Sequence, residues 1–185
     1  MKKVYVLLAD GFEEIEAITQ VDVLRRADID VEMVSINVGI SVTGSFKITV
    51  MADKKLSDVI LSSAEMLVLP GGVEGMKNLN LCSELKDSIK DFIKQDKWVS
   101  AICAAPKVLG DMGLLEGRKA VCYPGFENSL IGAEIENQNV VVDKKIITSK
   151  GPGTALEFAY KLVEVLKGNA VASELKQKML FDERG

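Results

Sequence analysis

The segment Val99-Ser100-Ala101-Ile102-Cys103-Ala104-Ala105-Pro106 joins an apolar strand directly to the start of a helix. We interpret residues 98–103 as the strand and residues 104–112 as the helix. Small residues stand two positions before and two positions after Cys103, as the sharp turn of a nucleophile elbow requires. Such a turn directs the side chain above the carboxyl edge of the sheet, where α/β folds bind ligands. We therefore expect Cys103 to be a reactive nucleophile; the alternative, of equal weight from the pattern alone, is a buried structural cysteine.

The predicted helix also bears on the acidity of the thiol. Unpaired N–H groups and the helix dipole stabilise a thiolate at a helix N-terminus. We expect the pKa of Cys103 to be lowered, and Cys103 to be alkylated faster than the other two cysteines. Cys82 precedes a helix and Cys122 lies in an apolar strand, so both are interpreted as packing residues.

Outward from this segment, short β-branched runs alternate with longer helical patterns. This alternation predicts an α/β fold with a parallel sheet and crossover helices. Residues 4–9 are a predicted first strand, followed by a helix capped by Asp10 with Glu13 as its capping-box partner. Residues 42–51 are predicted to form a hairpin or an edge strand, and residues 83–94 are a helix with one apolar face. Without repeats or a linker, residues 1–185 are expected to form one domain.

Composition excludes several classes of function. The net charge is −4, so the surface offers no basic footprint for nucleic acid or an anionic membrane. No segment approaches the roughly 20 apolar residues of a membrane span, and the apolar N-terminal run is interpreted as a strand, not as an export signal. Three irregularly spaced cysteines argue against disulfides, and we expect a reducing, cytoplasmic location.

The chain contains no histidine. A Ser-His-Asp triad, a Cys-His pair and a histidine-ligated zinc site are therefore excluded within it. Neither GxxxxGK[ST] nor GxGxxG occurs, so no phosphate-binding loop is expected. We expect a protein that uses neither metal nor cofactor.

Other candidate segments follow predicted strands. Gly71-Gly72 closes an apolar strand, where glycine lets backbone amides approach a ligand or an oxyanion; a plain turn is the alternative. Glu13, Glu14 and Glu16 open the first helix, and one of them turned inward and protonated could exchange a proton with a thiol. Periodicity leaves the choice among the three open. Gly151-Pro152-Gly153-Thr154 is interpreted as a helix cap, with an anion site as the alternative.

Together these segments resemble the ThiJ/PfpI superfamily, in the branch of the Parkinson-associated deglycase and its bacterial relatives. The matching pieces occur in the same order and cover almost the whole chain. They are residues 9–16 (ADGFEEIE), 21–27 (VDVLRRA), 68–72 (VLPGG), 101–106 (AICAAP) and 148–154 (TSKGPGT).

The resemblance implies a flavodoxin-like three-layer sandwich, with a mostly parallel sheet between helices on both faces, and a homodimer. It implies that Cys103 is the elbow nucleophile and is readily oxidised to a sulfinate. It selects Glu16 among the three acids, as a protonated carboxyl that hydrogen-bonds the cysteine sulfur.

The resemblance also implies supporting groups around the thiol. The backbone amides of Gly72 and Ala104 are expected to face a bound oxygen, and Arg26 to help hold an anion nearby. Gly71 and Tyr123 are expected to lie beside the thiol. Tyr123 stands where many relatives carry a histidine, which argues against an imidazole relay. Ala104 replaces the histidine that follows the nucleophile in the peptidase branch, which argues against proteolysis.

Two classes of function remain open at this stage. The first is a cofactor-independent enzyme, of glyoxalase or deglycase type, that acts on reactive dicarbonyls or on their adducts with proteins. The second is a redox sensor or stress chaperone that works through oxidation of Cys103. No residue supports a role in thiamine or thiazole biosynthesis.

Overall fold

The computed structural model describes residues 2–181. Its strands are β1 (Lys3–Leu8), β2 (Asp30–Ser35), β3 (Ser41–Thr43), β4 (Thr49–Met51), β5 (Lys54–Lys55), β6 (Met66–Leu69), β7 (Trp98–Ile102), β8 (Lys119–Ala120), β9 (Glu134–Ile135), β10 (Val140–Asp143) and β11 (Ile146–Ser149). Its α-helices are α1 (Glu14–Arg26), α2 (Val73–Leu81), α3 (Ser83–Lys94), α4 (Pro106–Asp111), α5 (Ala155–Lys167) and α6 (Asn169–Lys178).

The central sheet has seven strands in the order β10-β11-β7-β6-β1-β2-β5. All neighbouring pairs are parallel except β10 and β11. Helix α1 packs on α5, while α2 packs on α3 and α4, and α3 also contacts β7. The predicted flavodoxin-like α/β sandwich is confirmed.

The chain order along the sheet changes direction between β1 and β6. From β1 the chain moves outward to β2, and it returns to the other side of β1 to form β6 and β7. In open α/β sheets, ligands bind at such a switch point, beyond the carboxyl ends of the strands. The segments that follow β1, β6 and β7 begin near Asp10, Gly71 and Cys103, so the fold brings these three loops to one edge.

Helix α3 shows how the sequence pattern produces the packing. Leu85, Ile89 and Phe92 recur at a spacing of four and three residues and are all buried, as the apolar face predicted. The predicted bounds of this helix, residues 83–94, are also confirmed.

The first helix begins later than predicted. It starts at Glu14, and its N-cap is Glu13, whose Oε2 accepts a hydrogen bond from the Glu16 amide at 2.7 Å. Asp10 instead accepts a hydrogen bond from the Thr43 amide at 2.9 Å. The prediction that Asp10 caps this helix is wrong, because Gly11, at φ 82°, turns the chain out of helical geometry first.

Two helices near the candidate site also differ from expectation. The helix after Cys103 has only six residues, starting at Pro106, because residues 104 and 105 form a turn. Helix α2 was not predicted, because Gly75 is a poor helix former. The glycine is required there: a Cβ on Gly75 would lie 2.8 Å from the Phe12 Cα, so this helix packs directly on the loop after β1.

Candidate functional site around Cys103

Cys103 sits at a strained turn. Its φ is 66°, a left-handed backbone conformation that is uncommon for residues other than glycine. Backbone hydrogen bonds hold the turn on both sides: the Cys103 amide donates to the Ser149 carbonyl at 2.9 Å, and its carbonyl accepts from the Tyr123 amide at 2.8 Å. This is the geometry of the predicted nucleophile elbow.

The three acids at the start of α1 take three different positions. Glu13 caps the helix. Glu14 holds the β3–β4 hairpin, because its Oε1 accepts a hydrogen bond from the Phe46 amide at 2.7 Å. Glu16 is fully buried, and its Oε2 accepts a hydrogen bond from the Gly71 amide at 2.7 Å. Glu16 is the acid that the fold turns toward the thiol, and it also interacts with Cys103 by a side-chain hydrogen bond.

Gly71 is wedged between these two side chains. A Cβ at this position would lie 2.5 Å from both the Cys103 Cβ and the Glu16 Oε2, and 2.9 Å from the Ile102 carbonyl oxygen. Any side chain here would push the thiol and the carboxyl apart. Glycine is therefore required by close approach, and not by an unusual φ.

Gly71→Ala is expected to lower the free energy of unfolding by about 1–3 kcal/mol, because the crowded atoms include backbone. Urea titration followed by circular dichroism would measure the change. Gly153→Ala is the matched control, since a Cβ there meets no heavy atom within 4 Å. Equal stability of the two variants would show that Gly71 is not a packing constraint.

Two backbone amides are directed at the sulfur. The N–H groups of Gly72 and Ala104 both interact with the Cys103 thiol, and each lowers its pKa. Gly72, at φ 87°, can turn its amide in this direction because it lacks a Cβ; a Cβ there would collide with the Gly11 carbonyl oxygen. The two amides form a pair of donors of the kind that holds an oxyanion. That they bind an oxygen stays a prediction.

The pKa of the Cys103 thiol is raised, whereas the predicted helix N-terminus indicated a lowered pKa. Burial, followed by the negative charge of Glu16, raises the pKa of Cys103 to about 12, and the two amides only partly offset this. The prediction of a lowered pKa is wrong. Helix α4 starts three residues after Cys103 and has fewer than two turns, so its dipole contributes little at the sulfur.

Burial also raises the pKa of Glu16, to about 7, although hydrogen bonds with Cys103 and the Gly71 amide act in the opposite direction. Because the two groups are in contact, they titrate as a pair. Above about pH 7 the pair has lost one proton, and the negative charge lies mainly on the Glu16 carboxylate, because the pKa of the thiol is the higher of the two. A thiolate then arises when the thiol proton moves to Glu16.

Arg26 does not reach this pair. It lies ten residues after Glu16 in the same helix, about 15 Å away by the helical rise, and its Nε donates to the Asp22 carboxylate at 2.6 Å. Its side chain is 55% exposed. The prediction that Arg26 helps hold an anion beside Cys103 is therefore wrong for the cysteine of the same chain.

Cys103 opens onto a cavity of about 1130 Å³, while Glu16 lies buried behind it. Cys103, Gly72 and Ala104 line it together with residues 43–48 of the hairpin and Tyr123. The Tyr123 amide donates a hydrogen bond to the Cys103 carbonyl at 2.8 Å, and the residue is 46% exposed. That its side chain acts beside the thiol stays a prediction. The sequence indicated a hairpin or an edge strand for this segment, and the structure forms the hairpin. That it forms a wall of the site was not predicted, since nothing in its residues indicates where it packs.

Other potentially reactive groups lie outside the cavity. Neither Cys82 nor Cys122 lines it, and burial raises the pKa of Cys122 to about 11. Within residues 2–181, no three Cys, Asp or Glu side chains come together in a way that could hold a metal ion. In the same part of the chain, no helix is long and apolar enough to cross a membrane.

These features define a class: a flavodoxin-like α/β protein with a cysteine at a strained elbow and a buried carboxyl beside it. A family model described as the DJ-1/PfpI family matches residues 2–165. The chain belongs to the DJ-1/PfpI family, which confirms the resemblance to the ThiJ/PfpI superfamily.

Individual relatives match over nearly the whole chain. Protein DJ-1 homolog B of Arabidopsis thaliana is 40% identical over 182 residues, which are 97% of this chain but 42% of that protein. Protein dj-1beta of Drosophila melanogaster is 36% identical over 181 residues, 97% of each chain. A Bacillus subtilis relative named as a candidate cysteine protease, YraA, is 34% identical over 90% of this chain and 99% of its own length.

The fold also matches solved structures of relatives. The oxidised DJ-1 of Toxoplasma gondii superimposes with a TM-score of 0.94 at 37% identity, covering 98% of this chain and 99% of that one. The chain thus spans less than half of the Arabidopsis relative and almost all of the Toxoplasma one.

Proposed function

We propose that this protein is a cofactor-independent enzyme that converts reactive dicarbonyls to hydroxy acids, or removes their adducts from proteins. The observation that carries this is the arrangement of Cys103: its thiol opens onto the cavity, contacts the buried Glu16 and faces the amides of Gly72 and Ala104. A nucleophile, a proton carrier and two oxyanion donors are the groups such a reaction needs.

The first step makes the nucleophile. In the singly charged pair, the thiol proton passes to Glu16, and the thiolate attacks the aldehyde carbon of methylglyoxal. A carbon–sulfur bond forms, and the electron pair of the carbonyl moves onto its oxygen. The amides of Gly72 and Ala104 stabilise that oxyanion. Protonated Glu16 then gives its proton to the oxygen, which yields a neutral hemithioacetal and a carboxylate.

The second step moves hydrogen between the two carbons. The Glu16 carboxylate removes the proton from the carbon bound to sulfur, which leaves an enediolate with its charge on the second oxygen. Protonated Glu16 returns that proton to the neighbouring carbon, and the hydroxyl proton moves from the first oxygen to the second. The first carbon is oxidised to a thioester and the second is reduced to an alcohol, so no external oxidant is required. Water cleaves the thioester, which releases lactate and restores the thiol of Cys103.

A peptidase role is disfavoured, although one relative is named as a candidate cysteine protease. Peptide cleavage requires a base that activates the thiol and then protonates a leaving amine. The chain has no histidine, and Ala104 follows the nucleophile directly. The reaction of a free dicarbonyl does not require protonation of an amine, so a single carboxyl is sufficient for it.

The second candidate is a redox sensor or chaperone. Oxidation of Cys103 to a sulfinate would place an oxygen near the amides of Gly72 and Ala104, and a protonated Glu16 could donate to another. The oxidised state of the Toxoplasma relative favours this alternative. Both candidates use the same residues, so the presence or absence of turnover by reduced protein separates them.

The test is the release of lactate from methylglyoxal by freshly reduced protein, measured without added metal, thiol or nucleotide. We expect turnover to rise with pH and to reach half its plateau near pH 7, where Glu16 ionises. Below that pH both groups are protonated and no nucleophile forms, so the rate falls on the acid side. Alkylation of Cys103 by iodoacetamide should follow the same midpoint.

Two outcomes would count against this proposal. The absence of lactate above the uncatalysed rate would leave the redox sensor as the better candidate. A rate that is flat from about pH 6 to pH 8 would show that ionisation of the Glu16–Cys103 pair does not control the reaction.

A further inference from the structure

Gln20 is a polar side chain in an unusual place. It lies in the middle of α1, one turn after Glu16, and is fully buried. Glutamine is mostly exposed in folded proteins, so its burial here requires hydrogen bonds that compensate for the lost water. One such bond is present, in which Nε2 donates to the Ala155 carbonyl oxygen at 3.0 Å.

That bond fixes the orientation of the amide. A backbone carbonyl only accepts, so the NH₂ group must face Ala155 and the oxygen must face the other way. The oxygen, Oε1, is buried and has no hydrogen-bond partner within residues 2–181. A buried acceptor left unpaired costs about 1–3 kcal/mol.

Glu16 presents a second buried oxygen of the same kind. Its Oε2 is bound by the Gly71 amide, but its Oε1 has no partner in the described part of the chain. Side chains four residues apart share one helix face, and each leans toward the helix N-terminus, so Gln20 is directed at the turn that carries Glu16. Both lie near the segment that leads into α5: Glu16 Oε1 lies 3.9 Å from a Cβ position on Gly151, and Gln20 binds Ala155, the first residue of that helix.

We propose that Gln20 is a positioning residue for Glu16, and that its side-chain oxygen accepts the proton that Glu16 Oε1 carries, directly or through one buried water. The proposal rests on the role of Glu16 as proton carrier. Two acceptor oxygens on one helix face repel one another when the carboxyl is ionised, and they pair when it is protonated. Gln20 thus holds Glu16 in the orientation in which Oε2 accepts the hydrogen bond from the Gly71 amide.

The electrostatic surroundings are consistent with this role. The titratable groups that act on Glu16 are Cys103 and Glu13, and both are acids, so neither supplies a cation that would favour the carboxylate. Gln20 adds the negative end of an amide dipole. Burial raises the pKa of Glu16 to about 7, and an acceptor for its proton acts in the same direction.

The test is Gln20→Met, which keeps the length of the side chain and removes the acceptor. The readout is the pH midpoint of Cys103 alkylation by iodoacetamide, followed by peptide mapping. We expect this midpoint to fall by about half a unit to one unit, the equivalent of one lost hydrogen bond. Val23→Ala is the control, because it removes buried contacts from the same helix without removing a polar group, and should leave the midpoint in place.

Gln20→Asn gives a second measurement, which is available even if the methionine variant does not fold. It keeps the amide but shortens its reach, so it should also lower the midpoint. An unchanged midpoint in both variants would reduce Gln20 to a packing residue, and an upward shift would mean that it donates to Glu16. Because alkylation needs no substrate, these results stand apart from the turnover assay: absence of lactate in wild type would refute the enzyme proposal alone.

Discussion

Cys103→Ser is expected to lower methylglyoxal turnover by about a thousandfold or more, to the level of the uncatalysed reaction. The serine hydroxyl is far less acidic than a thiol, and the base beside it is Glu16, whose pKa of about 7 is too low to deprotonate an alcohol. The elbow, the cavity and both amides remain in this variant. The loss of turnover therefore reflects the loss of the nucleophile alone. The rate of lactate release measures this loss.

Cys122→Ser is the matched control. Cys122 is also buried, and burial raises its pKa too, but it does not line the cavity. Its turnover should equal that of wild type. Lactate release that survives Cys103→Ser would remove the covalent mechanism, and casein cleavage by wild type that vanishes in this variant would restore the peptidase interpretation.

Glu16→Gln is expected to lower turnover by about 10²–10⁴-fold, the usual contribution of a general acid–base group. The amide keeps the size of the side chain and can still accept a hydrogen bond from Gly71, but it cannot carry a proton between the thiol, the oxygen and the two carbons. The midpoint of Cys103 alkylation near pH 7 should also disappear. The thiol would then titrate alone, at a higher pH set by its burial.

The same variant is expected to be more stable than wild type at pH 8. The pKa of Glu16 is raised from 4.5 to about 7 in the folded chain. The stabilising contribution of its protonated form is therefore complete below about pH 4.5 and is lost as the pH rises through 7. At pH 8 wild type carries a buried charge that glutamine lacks, so thermal unfolding should show a higher Tm for Glu16→Gln.

Asp22→Asn is the control for this pair of measurements. Asp22 also lies on α1, but its side chain is 49% exposed and its partner is Arg26. Turnover and the alkylation midpoint should not change. A turnover in Glu16→Gln equal to that of this control would show that Glu16 takes no part in the reaction, whatever its effect on stability.

The order of the elements was largely predictable. The alternation of β-branched runs and helical patterns predicted the α/β sheet, and α3 was placed at its observed bounds. The errors fall where glycine or proline shifts a boundary: the first helix starts after Gly11, and α4 starts at Pro106. Local propensity does not report such shifts, because they depend on what the loop packs against.

The candidate site was also predictable in part. Cys103 was a candidate from the sequence because a nucleophile elbow leaves a local signature, small residues around a cysteine between a strand and a helix. The same pattern also fits a buried structural cysteine, and the family resemblance favoured the nucleophile. The exclusion of imidazole chemistry was likewise complete from composition, since no residue of the chain is a histidine.

The periodicity of the residues left the choice among the three acids open, and only the family resemblance indicated Glu16. The tertiary structure decided which acid faces the thiol and how acidic the thiol is. Glu13, Glu14 and Glu16 lie together at the start of α1, yet their carboxyls take three directions. Glu13 caps the helix, while amides of the loops after β3 and β6 bind Glu14 and Glu16. The raised pKa of Cys103 has the same origin, because burial is the sum of neighbours brought together from strands far apart in the sequence. Arg26 shows the opposite outcome. The resemblance placed it near the anion site, but ten residues of helix separate it from Glu16 by about 15 Å.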